Sequence, residues 1–332
     1  MICGKTEKLL LGQCKSYIDI SSCTGAFSPS IGKQSGGVMA TYWWVYLFHM
    51  PAFVFVSGVF SKSYVEKMGK EFRLTGFLVI YVVFTVLLWI IQLFFRHSIN
   101  ITNLLSTSGA PWYMLAMFSW YLILPYTARI KPVILVTISM AVALLSGIYS
   151  DCGDFLALSR TIVFYPFFMF GYYFSITAIN RIKPWMRICG GIILSIIFIA
   201  LLFKGQELVS YLGIAYGYEA YSSLGMPPVT GMFVRFIWYT VAILMTLSFL
   251  MIVPNRSFKW TRIGERTLGI YVVHRLIREI FSGFGLYKIL SGAGVITLII
   301  LLTLSALVVV IASAGVINKV VNRAFHATIF IK

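Results

Sequence analysis

The sequence predicts an all-α integral membrane protein, a polytopic helical bundle with about nine transmembrane helices. Three observations carry that reading. First, 59% of the 332 residues are hydrophobic and only 11% are charged, against roughly 45–50% and about 25% in soluble domains. The mean hydropathy is +0.89, and a globule's interior grows too slowly with size to hide such an excess. Second, apolar stretches near the ~20 residues that span a bilayer recur along the chain. Third, basic residues gather in alternate loops.

Taken in order, the apolar segments run roughly over 41–61, 76–95, 112–128, 132–149, 160–179, 186–203, 231–252, 267–282 and 293–315. They are too long and too continuous for strands, and no barrel-type alternation occurs. Within lipid each backbone polar group must be satisfied inside its own segment, which dictates helices. Sixteen basic residues fall in one set of loops: Lys62, Lys67, Lys70 and Arg73; Arg129 and Lys131; Arg181, Lys183 and Arg187; Arg256, Lys259, Arg262 and Arg266; Lys319, Arg323 and Lys332. The other set holds four, Arg96, Arg160, Lys204 and Lys288. The richer set is expected on the cytoplasmic side. This gives a multi-pass protein of the cell membrane with a cytoplasmic C-terminus. Residues 1–40 form a tail of uncertain structure, 41–315 the transmembrane domain and 316–332 a cytoplasmic tail.

The net charge of +17 is dispersed through short loops rather than gathered on one face, which argues against nucleic acid as a partner. Cys3, Cys14, Cys23, Cys152 and Cys189 show no CxxC and no zinc-type spacing, so no metal is expected. The Gly4-Lys5-Thr6 end of a would-be phosphate loop lacks its earlier glycine and its strand. No GxSxG elbow occurs. Asn100-Ile101-Thr102 is a formal glycosylation sequon. The tail carries Lys5, Lys8, Lys15 and Lys33 where nine crossings would put it outside, and a missing first helix would reconcile the two.

Ionisable side chains inside spans cost about 2.5–3.5 kcal/mol on insertion scales and therefore mark candidate chemistry. His49 falls mid-way along the first span and His274 near the middle of the eighth, so similar depths are expected. Arg275 and Arg278 share the eighth span, Arg235 lies early in the seventh, and Arg160 stands at the outer mouth of the fifth. A neutral imidazole takes and returns a proton near physiological pH, which suits activation of a hydroxyl. Arginine forks bind phosphate or carboxylate. The set suggests an anionic, group-carrying ligand; the alternative is that these side chains only bridge helices. The loop with Tyr211, Tyr216, Tyr218, Glu219 and Tyr221 suits stacking on sugar, and equally an interfacial aromatic belt.

Four segments in order resemble acyltransferase family 3, and within it the fucose 4-O-acetylase-like membrane acetyltransferases. They are Phe48-His49-Met50-Pro51-Ala52-Phe53 to Ser57-Gly58; Pro111-Trp112-Tyr113-Met114-Leu115-Ala116-Met117-Phe118; Leu158-Ser159-Arg160-Thr161 with Tyr165-Pro166-Phe167-Phe168-Met169-Phe170-Gly171-Tyr172-Tyr173; and Gly264-Glu265-Arg266-Thr267-Leu268-Gly269-Ile270-Tyr271-Val272-Val273-His274. The resemblance implies a bacterial acyltransferase acting on groups other than aminoacyl. It would use acetyl-CoA as co-substrate for O-acetylation of a cell-envelope polysaccharide or lipid-linked sugar. It carries over His49 as a base or positioning residue and His274 as a second polar cavity residue, both read as catalytic, and Arg160 as an anion or substrate contact. Trp112, in the matching segment of the third span, and Arg275, beside His274 in the eighth span, are placed with them as candidate substrate contacts. Two departures stand out: the family's opening helix with its histidine has no counterpart in residues 1–40, and Tyr121 stands where a basic residue is expected. An inactive truncated family member and a transporter of glycan or lipid-linked substrates are the alternatives. The acceptor sugar and the oligomeric state are open.

Overall fold

The computed structural model describes residues 36–66, 74–96, 111–150, 153, 155–254, 266–286 and 295–326. Most of the tail, Cys152, the sequon and the basic stretches around Lys67 and Lys259 lie outside the described residues. The helices are α1 (Gly36–Glu66), α2 (Thr75–Arg96), α3 (Trp112–Thr127), α4 (Pro132–Leu145), α5 (Leu158–Tyr173) and α6 (Pro184–Lys204). They continue as α7 (Leu212–Tyr216), α8 (Pro228–Ile252), α9 (Thr267–Gly283), α10 (Val295–Ala312) and α11 (Gly315–His326), with no strand among the described residues.

Each apolar segment contains one of these helices. Their starts follow local chemistry. Lys131 and Lys183 precede prolines and take extended ψ values of 134° and 157°, as a residue before proline must. Pro132 and Pro184 then open α4 and α6, where a missing N–H costs nothing.

Four helices, Gly36–Val65, Thr75–Phe95, Pro184–Lys204 and Pro228–Ile252, are long and apolar enough to cross a membrane. A fifth crossing results if Ile299–Ala312 and Gly315–Phe325, bent by 63°, count as one. α3, α4, α5 and α9 have 16, 14, 16 and 17 residues. At 1.5 Å per residue they reach about 21–26 Å, short of the ~30 Å hydrocarbon core. Helix length therefore supports four or five full crossings among the described residues, against the nine expected. Apolar side chains along α6, including Ile188, Ile192, Ile196, Ile199 and Phe203, are exposed and suited to lipid.

The chain divides into two compact units. The first comprises Met1–Phe53, Ser175–Ser210 and Thr240–Asn318. Here Trp43 Nε1 donates to Gly205 O at 3.0 Å and Trp44 Nε1 to Leu194 O at 3.1 Å, fastening α1 to α6. Val38, Ile270, Leu301, Val308, Val309 and Ala312 form a buried cluster of α1, α9 and α10.

The second unit comprises Val54–Phe174, Tyr211–Tyr239 and Lys319–Lys332. α5 packs on α3 and α4, and on the second half of α1 backbone to backbone. A Cβ on Gly58 would collide with Phe168 O, and one on Gly171 with Phe55 O. Those two glycines let helices carrying bulky aromatics approach closely. Ser57 Oγ and Tyr113 Oη, 2.6 Å apart, tie α1 to α3.

Candidate functional site

In the first unit the two histidines are built alike. His49 on α1 and His274 on α9 are 5% and 7% exposed. Nδ1 of each lies beside the carbonyl one turn back: Val45 O at 2.9 Å for His49 and Ile270 O at 2.8 Å for His274. A carbonyl only accepts, so Nδ1 carries the hydrogen and Nε2 keeps the lone pair. Each ring also packs on the tyrosine three residues earlier, His49 on Tyr46 at 4.7 Å and His274 on Tyr271 at 6.1 Å. Similar depth was the expectation from sequence; the shared Tyr-x-x-His tether is the structure's addition.

Arg275 follows His274 on α9, and its Nη1 lies 3.2 Å from Glu279 Oε2, one turn on. Glu279 is buried. Arg278 stands four residues after His274 on the same helix. Arg275 thus reaches the histidine pair already engaged by a carboxylate, a partner one turn away that was readable in the sequence.

The second unit holds the other two predicted site residues, and they touch. Arg160, 6% exposed, sits in the first turn of α5. Its guanidinium carbon lies 5.5 Å from the Trp112 ring centre and 4.4 Å from that of Tyr218. Such cation–π contacts gain strength when desolvated. The loop presenting Tyr218 is pinned in place. Gly217 takes a left-handed φ of 75°, and its carbonyl accepts from Ser159 Oγ at 2.8 Å. Tyr216 and Tyr218 bracket that glycine with rings 10° from parallel.

Arg235, grouped by sequence with ligand-binding arginines, is fully buried and turns its two terminal nitrogens to the fold, while its Nε has no hydrogen-bond partner. Nη1 donates to Ala143 O at 3.0 Å and Nη2 to Glu219 O at 3.2 Å, with Ser146 Oγ 3.4 Å from Nη1. Ala143 belongs to the last turn of α4, where the helix dipole is negative. The Tyr221 ring lies 4.6 Å over the guanidinium, and Tyr221 Oη donates to Leu144 O at 2.7 Å. Burial pushes the Tyr221 phenol up, with Arg235 acting against that shift. Arg235 and Tyr221 together lock the loop onto α4.

Tyr121 is buried between the rings of Tyr64 and Phe77, at 5.0 and 5.6 Å. Among the described residues no group of three or more His, Cys, Asp or Glu is placed to hold a metal.

The model of the family described as Acyltransferase domain, acyltransferase family 3, matches residues 22–315. No curated protein and no solved structure gives a match. The family match takes in His49, Trp112, Arg160, His274 and Arg275 and covers most of a chain of apolar helices, so this membrane protein belongs to acyltransferase family 3.

Proposed function

We propose that the chain is a membrane O-acetyltransferase. It moves an acetyl group from cytoplasmic acetyl-CoA to a hydroxyl of a cell-envelope sugar or polysaccharide, as the resemblance to the fucose 4-O-acetylase-like branch implies. The observation that carries this reading is the pair of buried histidines whose Nδ1–H groups are tied to their own helices. A tether of that kind fixes the tautomer and leaves Nε2 basic, which is what a general base for a hydroxyl requires.

The reaction balances with these groups. Nε2 of one histidine takes the proton of the acceptor hydroxyl as its oxygen bonds to the thioester carbonyl carbon. The tetrahedral adduct collapses with cleavage of the C–S bond, and the departing CoA sulfur takes up a proton. His49 is read as the base or positioning residue and His274 as its polar partner, able to return the proton. Arg160, Trp112 and Arg275 are read as substrate contacts, the guanidinium forks suiting phosphate or carboxylate groups. The excess of basic residues in alternate loops supports a donor entering from the cytoplasm, with the C-terminus on the same side.

The test is base-released acetate from the envelope of cells carrying wild type, His49→Gln or His274→Gln, at matched protein level. Loss of a general base is expected to lower transfer by about 10²–10⁴-fold. Unchanged acetate in both variants would sink the assignment of these residues. Substrate flux that needs no acetyl-CoA would favour a transporter instead.

A further inference from the structure

The chain bends by 63° between α10 and α11. α10 has 18 residues and reaches about 27 Å, most of the ~30 Å hydrocarbon core. A bilayer crossing at α10 is therefore nearly complete before α11 begins. Arg266 Nη1 donates to Ser313 O at the bend, so a base closes the C-terminal end of α10.

The division between the two units falls within α11, after Asn318, and in each unit one side of the helix is packed. In the first, Ile317 lies against Gly269 of α9, where an added Cβ would meet the Ile317 side chain at 3.4 Å. In the second, the Phe325 ring meets Phe77 at 5.2 Å, and a Cβ on Gly76 would collide with Phe325 O. Ile317, Val321, Ala324 and Phe325 follow at i, i+4, i+7 and i+8, which is one helix face, and all four are half-buried.

The other side is open. Val316, Lys319, Val320 and Arg323 follow at i, i+3, i+4 and i+7, the spacing of a single stripe. All four are exposed, the valines to 74% and 60%. The sequence holds no Asp or Glu after Glu279, so α11 carries no acid of its own to neutralise the two bases.

We propose that this stripe docks α11 on the headgroup layer of the membrane, with Lys319 and Arg323 on the phosphates of anionic phospholipids and Val316 and Val320 at the acyl boundary. The mixture of side chains selects that partner. Hydrocarbon would accept the valines but strand both bases. Water would accept the bases but leave two valines in one exposed row. A second copy laid against the same stripe would set bases on bases. The headgroup layer takes both kinds, because long basic side chains reach the phosphates while their apolar neighbours enter the boundary. The proposal depends on the chain's place in the membrane and not on the acyl-transfer reading.

Amide hydrogen exchange over α11 tests this on the full wild-type chain, held at one copy per nanodisc. The discs are phosphatidylcholine alone or phosphatidylcholine mixed with phosphatidylglycerol. Each base near an anionic surface favours binding several-fold, so protection is expected to rise about tenfold in the anionic discs. That gain is expected to shrink at high salt. Lys319→Gln with Arg323→Gln is expected to abolish it, leaving protection in neutral discs as in wild type. Equal protection in the two discs overturns the proposal: a high value in both assigns the stripe to hydrocarbon, a low value in both to water. A gain that survives the double variant overturns it as well, since other bases would then be responsible. Protection that appears only with two copies per disc, whatever the lipid, assigns the stripe to a second chain and overturns it likewise.

Discussion

The histidines of the first unit and the arginines of the second are buried alike but completed in opposite ways. His49 and His274 each use one ring nitrogen within their own helix, leaving the other for chemistry. Arg235 gives its two terminal nitrogens to carbonyls of α4 and of the loop that leads into its own helix. Arg160 lies between these extremes, with aromatic faces against its guanidinium. An ionisable group inside a membrane protein is expensive wherever it sits. How far the surrounding fold has completed it separates a structural clamp from a working residue.

The sharpest way to break the comparison is Arg235→Met. That change keeps an apolar side chain in place but strands the carbonyls of Ala143 and Glu219, and removes the cation beneath Tyr221. A loss of roughly 2–5 kcal/mol is expected, from two buried carbonyls left unsatisfied at about 1–3 kcal/mol each. Membrane accumulation and thermal midpoint would both fall. A fully stable Arg235→Met protein would show that the clamp is dispensable and would return Arg235 to the ligand-binding set.

A smaller effect sharpens the contrast between helices that touch and helices that face lipid. Gly171→Ala places a methyl against Phe55 O, and is expected to cost about 1–3 kcal/mol through overpacking at the α1–α5 contact. At Gly191 on α6 an added Cβ meets nothing within 4 Å. There alanine is expected to be neutral, or stabilising by up to ~1 kcal/mol through helix propensity. Parallel thermal melts decide it, and equal midpoints for the two variants would remove the close-approach explanation.

The sequence shows this architecture clearly where cause and effect are local. Apolar runs mark each helix, and the Lys-Pro pairs mark the starts of α4 and α6, because proline constrains its own residue and the one before it. It is silent where lipid and protein interior reward the same side chains. α6 has a window hydropathy of 2.5 and is 17% buried, whereas α1 has 1.5 and is 78% buried. The less apolar helix is the packed one, since aromatic, glycine and histidine residues serve helix contacts that lipid does not need. The segment 160–179 reads as one apolar run, yet α5 ends at Tyr173 and a 3₁₀ turn follows over Ile176–Arg181. Residues 316–332 read as a tail, yet most of them form α11. At the site, the motifs single out Arg160 and Trp112 separately, and their contact is visible only in the structure. The clamp role of Arg235 is not legible there, because its partners Ala143, in the last turn of α4, and Ser146, just after it, lie 92 and 89 residues away.

The smallest expected effect concerns Arg275, which falls between the two classes. Its bridge to Glu279 is an i,i+4 pair with side chains 16% and 8% exposed. Such a pair belongs between the few tenths of a kcal/mol of an exposed one and the several of a fully buried one, about 1 kcal/mol. Arg275→Gln should therefore lower the thermal midpoint slightly by leaving Glu279 without this partner, and Arg275→Gln with Glu279→Gln should recover it. Envelope acetate separates the two roles that stability alone leaves joined. If Arg275 contacts substrate, transfer stays reduced in the double variant although the fold is restored, and that is the expected outcome. If transfer recovers together with the midpoint, Arg275 serves only to neutralise Glu279, and His274 is left with Arg278, four residues on, as the neighbouring cation of its helix.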